Sequence, residues 1–397
     1  MSVIRIGIAG LGAAGRAFVP AIRANSAFRL AAIADPSPQI RAEFEGEVAT
    51  HRDLTSMLGD RSLDAVCIAT PTEMHATQAC EAFAAGKHVV LEKPMATSLA
   101  DAQAIIEAAE RAGRVLLVGH SHSYDAPIAR MRALVEEGTL GAPRMANTWC
   151  FTDWVYRPRR PEELDLAKGG GVTFRQGAHQ LDILRLLCGG RATSVRARTF
   201  DFDPSRSTVG AHVAFVDFAD GAAGTAVYSG YGHLPFGELT FGIGEWGFPQ
   251  VASKRAGASA PASVEEERRA KAERAKSAIP ASAPNPPFFG MTLLSCERGD
   301  VRQTPEGLAV YTRDGITTIP VSVERSPRDL LFDEFRDAIE GARPPIHDGR
   351  WALATLELCI AALESSRIGR EVALHHQCAP ARCSPSPLGE GRGGGPL

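Results

Sequence analysis

Up to about residue 120, short apolar runs alternate with stretches whose apolar positions recur at helical spacing. Candidate strands are Val3–Ala9, Phe28–Ala34, Ala65–Ala69, His88–Leu91 and Val115–Gly119; candidate helices are Ala14–Asn25, His75–Ala85 and Leu99–Ala112. The alternation predicts an α/β fold with a mostly parallel, doubly wound sheet that takes its ligand at the carboxyl ends of the strands. Pro127–Glu137 reads as one further helix, closed by Gly138. Beyond it the pattern turns β-rich: Ser194–Phe200, Ala211–Phe218, Gly224–Tyr231 and Glu238–Ile243 are separated by Gly, Asp or Pro turns. They predict a second α/β domain around an open, largely antiparallel sheet. A helix at Ala178–Leu187 interrupts these strands. Two late helices, Asp329–Gly341 and Trp351–Ser366, close the folded part and are expected to pack back on the first domain.

Two segments break the pattern. Ala252–Pro287 is rich in Ala, Ser and Pro around Val264–Ala278, which is dense in Glu, Arg and Lys. That run reads as a solvated helix projecting from the sheet domain, or as a dimer-contact arm. From residue 377 onward almost no large apolar residue remains, so the expected disordered tail covers 376–397. The expected division is a nucleotide-binding domain over 1–122 and a substrate and oligomerisation domain over 123–375, with the arm at 252–287 inserted in it. A chain of 397 residues exceeds the usual size of a single core, which agrees with two domains.

Gly10, Gly12 and Gly15 form a Gly-x-Gly-x-x-Gly loop between the first apolar run and the helix that Ala13 and Ala14 open. In such a loop the first glycine allows the turn, the second lets backbone approach a pyrophosphate, and the third lets helix and strand pack closely. The helix N-terminus offers free N–H groups and a positive dipole end to the phosphates. Asp35 ends the next apolar run, where a carboxylate accepts hydrogen bonds from both ribose hydroxyls. Pro36, Ser37 and Pro38 supply no Arg for a 2′-phosphate, so NAD is expected over NADP. Thr70 and Pro71, at the next strand end, are expected to line the dinucleotide crevice. His75 either joins them or merely caps and packs its helix. Glu92-Lys93-Pro94 ends the following strand at the crevice mouth, where an ammonium can hold a substrate hydroxyl and stabilise developing alkoxide.

In the second domain Gly169-Gly170-Gly171 leads into His179 and Asp182, three apart and thus neighbours on one helical face. An Asp that orients a His is an acid/base arrangement, and the glycine run suggests close approach by a ligand. Upstream, Trp154, Tyr156, Arg157, Arg159 and Arg160 combine aromatic faces for a flat ring with guanidinium groups for carboxylates. The alternative is a surface loop whose arginines pair with Glu162, Glu163 and Asp165. His120 and His122 either touch substrate or are hydrogen-bonded loop histidines; no metal is expected, because a His-x-His pair needs further ligands.

The glycine loop, Glu92-Lys93-Pro94 and the Gly-Gly-Gly…His179…Asp182 segment together resemble the glucose-fructose oxidoreductase / inositol dehydrogenase / MocA family over nearly all of residues 3–374. The resemblance implies a Rossmann domain plus an open-sheet α/β domain, often assembled as a homodimer or homotetramer through that sheet. It also implies Lys93 and His179 as catalytic residues and a cis Lys93–Pro94 bond. Many relatives carry Asp four residues before the histidine, whereas this chain has Arg175, which favours an anionic substrate. Together with Gln176 and Ser295-Cys296-Glu297-Arg298-Gly299-Asp300, the arginine loop is similar to phthalate 4,5-cis-dihydrodiol dehydrogenases. The implied reaction oxidises the dihydrodiol to 4,5-dihydroxyphthalate with NAD. In it Lys93 positions the hydroxyl, His179 takes its proton, Asp182 orients His179, and Arg175 with Arg157, Arg159 or Arg160 holds carboxylates. A sugar or cyclitol dehydrogenase and a non-catalytic dinucleotide sensor are the competing readings.

Composition adds exclusions. A net charge of −3 gives no electrostatic reason to expect nucleic acid or an anionic membrane as partner. No apolar run is long enough to span a bilayer, and Met1-Ser2-Val3 leads straight into the first strand, so a cytoplasmic protein without a leader is expected. The eight cysteines lack metal or C-x-x-C spacing. Cys67, Cys80, Cys188 and Cys359 read as small core residues in a reducing compartment, Cys378 and Cys383 as incidental.

Overall fold

The computed structural model describes residues 3–250 and 263–381. The start Met1-Ser2, residues 251–262 and tail residues 382–397, with Cys383, lie outside them. The first sheet contains β1 (Ile4–Ala9), β2 (Phe28–Ala34), β3 (Ala49–His51), β4 (Ala65–Ile68), β5 (His88–Leu91) and β6 (Leu116–Val118), in the order β3-β2-β1-β4-β5-β6. Every neighbouring pair is parallel. The order reverses between β1 and β4, so a crevice opens there at the carboxyl ends. The central strands are apolar throughout because helices cover both faces; β3 is a short edge strand, largely exposed, and carries no apolar run to mark it.

The second sheet is mixed and largely antiparallel. It contains β7 (Pro143–Phe151), β8 (Ala192–Phe200), β9 (Ala211–Phe218), β10 (Ala223–Ser229), β11 (Met291–Cys296), β12 (Gly299–Thr304), β13 (Gly307–Thr312), β14 (Gly315–Pro320) and β15 (Val372–Ala373). Their order is β14-β13-β12-β11-β7-β10-β9-β8-β15, and only β7 and β10 run parallel. The segment expected as a strand at Glu238–Ile243 is instead a short turn at Phe236–Leu239 and a glycine-rich loop. One face of the sheet packs on the wholly buried helix Ala178–Leu187 and on Gly349–Ile368. The other presents Met145, Trp149, Val213 and Phe215, each more than two-fifths exposed. Trp149, Val227 and Val213 are in register across β7, β10 and β9, so the exposed row is continuous.

The late helix Pro327–Ile339 lies against Ala13–Ala24, with Phe332 edge-on to Phe18 at 5.8 Å. The last helix bridges both sheets. At its start a Cβ on Gly349 would lie 2.7 Å from Ile106 of the first domain. Further along, Trp351 and Thr355 engage Arg185, which is wholly buried. Arg185 also donates to Gly190 O and Gln377 Oε1, both at 3.1 Å, and to Cys378 O at 3.3 Å. The first tail residues are therefore packed rather than disordered, because they satisfy a buried cation that has no water to turn to. The arm also departs from expectation. Its helix, Val264–Ala275, capped by Ser263, has no buried residue, yet it does not project into solvent. Glu267 pairs with Arg206 and accepts from Arg159 N at 2.7 Å, Lys271 pairs with Glu163, and the helix touches Ala13–Ala24.

Candidate active site

The glycine loop divides its labour as a pyrophosphate cradle would. Gly10 sits at φ +85°, and a Cβ there would lie 2.7 Å from Ala69 O. On Gly15 a Cβ would lie 1.8 Å from Gly10 O, so only glycine fits. Gly12 has nothing within 4 Å and leaves the approach open, and the Ala13–Ala24 helix begins beside it. Asp35 is buried; its carboxylate accepts from Leu11 N at 2.8 Å and Ser37 N at 2.9 Å, which locks it to the loop. Arg41, beyond the three positions that lack an arginine, donates to Asp35 O (2.7 Å) and Pro36 O (2.9 Å). Thr70 donates to Gln78 at 2.5 Å beside Pro71. His75 is buried. Its ring nitrogens lie 2.9 Å from Pro94 O and 3.0 Å from Thr70 O, tying two loops together, and burial pushes it down to about 4. Glu92 accepts from Lys93 N at 3.2 Å.

Lys93 precedes a cis Pro94 and donates its ammonium to Arg175 O at 2.6 Å. Arg175 belongs to a wide π-type turn, Thr173–Gly177, that runs directly into the helix carrying His179. Such turns re-aim side chains within a helix. Burial, then the Arg175 cation, brings Lys93 down to about 8. Burial, then the Lys93 ammonium, drives His179 well below its ordinary value, so its imidazole is neutral at pH 7. Nδ1 of His179 has no hydrogen-bond partner among the described residues. Its ring meets His122 edge-on at 4.6 Å and Phe289 at 5.0 Å.

Asp182 does not orient His179. Its carboxylate accepts from Ser123 Oγ and, at 2.5 Å, from Trp351 Nε1, with His347 Nε2 at 3.5 Å and His120 Nδ1 at 4.0 Å. The i,i+3 spacing holds, but donors from the last helix and the loop after β6 take both oxygens. Burial would raise Asp182, and His120 and His347 outweigh it, keeping the carboxylate charged. Burial likewise opposes charge on His347, but Asp182 and Glu334 lift it to about 9. His120 and His122 are buried and pushed down to about 4 and about 3, chiefly by burial. His122 stacks on Phe289 at 4.0 Å and bonds Asp125 at 3.0 Å. Among the described residues no group of three or more His, Cys, Asp or Glu could hold a metal.

The expected carboxylate-binding arginines are all engaged. Arg157 pairs with Asp153 at 2.6 Å and Glu245 at 3.5 Å. Glu163 lies 3.2 Å from Arg175, 3.7 Å from Arg159 and 3.8 Å from Arg160, and it also pairs with Lys271. Arg175 further donates to Thr72 Oγ1 at 2.9 Å. Trp154 offers no open face, because Arg159 lies over it at 4.2 Å; Tyr156 donates to Asp203 at 3.0 Å. The glycine run packs closely against protein backbone: a Cβ on Gly170 would lie 2.6 Å from both Asp165 O and Glu163 O. No local sequence signal marks His347 or Lys271 as near the site. Glu245 and Trp246 sit in Phe241-Gly-Ile-Gly-Glu-Trp-Gly247, a loop composition that could have drawn notice; Trp246 lies 5.0 Å from His122.

Residues 4–120 match the model of an oxidoreductase family with an NAD-binding Rossmann fold, and residues 128–240 match the GFO/IDH/MocA C-terminal domain. The chain belongs to the Gfo/Idh/MocA family. It is similar to a 1-carboxy-3-chloro-3,4-dihydroxycyclohexa-1,5-diene dehydrogenase of Comamonas testosteroni, 37% identical over 382 residues that cover 92% of this chain and 95% of that one. A Bordetella bronchiseptica RB50 structure, named as a dehydrogenase, superposes with a TM-score of 0.87 at 38% identity, covering 94% of this chain and all of that one. The WlbA dehydrogenase of Bordetella pertussis, solved with NADH and UDP-GlcNAcA, shares the fold at a TM-score of 0.70 and 22% identity, over 94% of this chain and 99% of that one. This Gfo/Idh/MocA member is an NAD(P)-dependent oxidoreductase acting on CH–OH groups, with an NAD-binding Rossmann domain. Among the described residues no helix is long and apolar enough to cross a membrane.

Proposed function

We propose that this enzyme oxidises a carboxylated cyclic cis-diol, with phthalate 4,5-cis-dihydrodiol as the lead substrate and 4,5-dihydroxyphthalate as the product. The observation that carries this reading is the surplus of cations around Glu163, joined to Lys93 through the Arg175 carbonyl. The Comamonas relative's name describes a ring with a carboxyl group and vicinal hydroxyls, which supports the same substrate class.

Bound NAD supplies the hydride acceptor. The glycine loop and Asp35 would hold it, since Gly12 leaves the approach open and Asp35 is locked against Leu11. Lys93 binds the reacting hydroxyl and offsets its growing negative charge. Neutral His179, whose Nδ1 is unpartnered, takes the hydroxyl proton. Asp182 acts at one remove, by fixing the helix that carries His179 through Trp351 and Ser123. The hydroxy-ketone then tautomerises to the aromatic diol, which makes the direction downhill. Asp35 favours NAD, while Arg41 beside it favours a second reading in which a 2′-phosphate is tolerated. The exposed row on the second sheet supports a homodimer or homotetramer, and the seven cysteines among the described residues, all unpaired, support a reducing, cytoplasmic setting.

A substrate panel with NAD tests the reading. Carboxylated cyclohexadiene cis-diols should turn over, and their uncharged analogues should be poorer by roughly tenfold or more in kcat/KM. Preference for myo-inositol or another neutral cyclitol would replace it with the sugar reading. Absence of NAD reduction with every diol would favour a dinucleotide sensor.

A further inference from the structure

Glu163 has a side chain only 3% exposed, and four cations lie within 4 Å of it: Arg159, Arg160, Arg175 and Lys271. None of the four has a second carboxylate in ion-pair range among the described residues. One buried acid cannot neutralise four cations, and like charges this close repel one another. The arrangement is therefore complementary to another anion. Three of the cations come from the loop and turn that lead to His179. The fourth comes from the arm helix Val264–Ala275, which lies outside the residues matched to the family models.

The arm is seated by a reciprocal exchange. Glu267 pairs with Arg206 and accepts from the backbone of Arg159, while Lys271, one turn on, reaches Glu163. Lys271 and Arg175 keep side-chain exposures of 29% and 21%, so a small molecule can reach both. The Arg175 carbonyl holds the Lys93 ammonium at 2.6 Å, so the cluster adjoins the reacting hydroxyl.

We propose that the arm helix is part of the substrate site and that Lys271 selects for a carboxylate on the substrate. This rests on the anionic-diol reading above and assigns it a residue from a segment that composition alone set aside. Burial brings Lys271 down to about 8 against the pull of Glu163, so it is largely charged at pH 7, and an incoming carboxylate would hold the charge more firmly.

The test uses the full-length, NAD-loaded protein and its Lys271→Met and Lys271→Arg variants. Calorimetry gives the affinity for phthalate and benzoate; steady-state rates compare a carboxylated cyclohexadiene cis-diol with its uncharged analogue. Losing one charge-assisted contact should weaken phthalate binding and raise KM for the carboxylated diol by about tenfold in Lys271→Met. The kcat and the kinetics of the neutral diol should stay within about twofold, and Lys271→Arg should recover most of the loss. A merely structural lysine would lower both substrates together and leave their ratio unchanged, which overturns the proposal. Equal phthalate affinity in wild type and Lys271→Met overturns it too, while the anionic-diol reading stands if wild type prefers the carboxylated diol. A wild type that binds neither acid and prefers the neutral diol removes both.

Discussion

In the nucleotide half of the molecule, Gly10, Gly12, Gly15 and Asp35 come from a single strand–helix–strand unit, and backbone geometry does most of their work. Around the proposed substrate site, Lys93 and His122 of the first domain meet Glu163, His179, Glu245, Lys271 and His347 from separate loops and helices, and side-chain charge does the work. A dinucleotide cradle can be built from one local peptide. The second site is assembled by bringing distant segments together around buried charges. Damage to the first should therefore read out as lost nucleotide binding, damage to the second as lost chemistry or altered selectivity.

The largest contrast is expected at the reacting hydroxyl. Lys93→Ala and His179→Ala should each lower kcat by roughly 10²–10⁴-fold with NAD affinity nearly unchanged. Near-normal turnover in both would remove the proposed chemistry. Asp182→Ala should act on stability instead, because it strands Trp351 Nε1 and the His347 charge in a buried site. A loss of about 3–5 kcal/mol in urea unfolding is expected. His347, lifted to about 9 from 6.5, stabilises the fold fully below pH 6.5 and loses that contribution as pH rises through 9. The gap in stability between wild type and His347→Asn should narrow over that range.

Gly15→Ala belongs to the nucleotide half. Its Cβ would force the Gly10 carbonyl away, costing about 1–3 kcal/mol and weakening NAD in calorimetry. A smaller effect is expected from pH. If the Lys93 ammonium is the working form, kcat/KM falls as pH rises above about 8, and a flat profile to pH 10 would assign Lys93 another role. Smallest for catalysis is Trp149→Glu on the exposed sheet face. It should leave turnover within about twofold while lowering the mass seen by light scattering, if the sheet is the assembly surface.

The same contrast governs what could be read from residue order. The glycine loop, the strand ends at Thr70 and Lys93, and the helix carrying His179 were legible because local spacing dictates them. β3, β7 and β11–β14 were not, since short or half-exposed strands give weak alternation. Pairing of the loop arginines with Glu163 was legible as the alternative reading and holds for Arg159 and Arg160; the convergence of Arg175 and Lys271 on the same carboxylate was not, because it depends on the fold that brings them to it. Asp182 shows the limit most clearly. Its i,i+3 relation to His179 is real along the helix, yet Trp351, far along the chain, claims the carboxylate. The arm looked solvated because its helix is polar on every side; its attachment is ionic, which hydrophobic periodicity does not register.

The wholly buried guanidinium of Arg185 reaches forward to Trp351, Gln377 and Cys378. During synthesis on the ribosome, that group has emerged long before the carbonyls that satisfy it. The middle of the second domain must therefore stay hydrated and loose until the final helix and the residues just after it have been made. Vectorial translation would then deliver a nucleotide pocket first and a closed substrate pocket last.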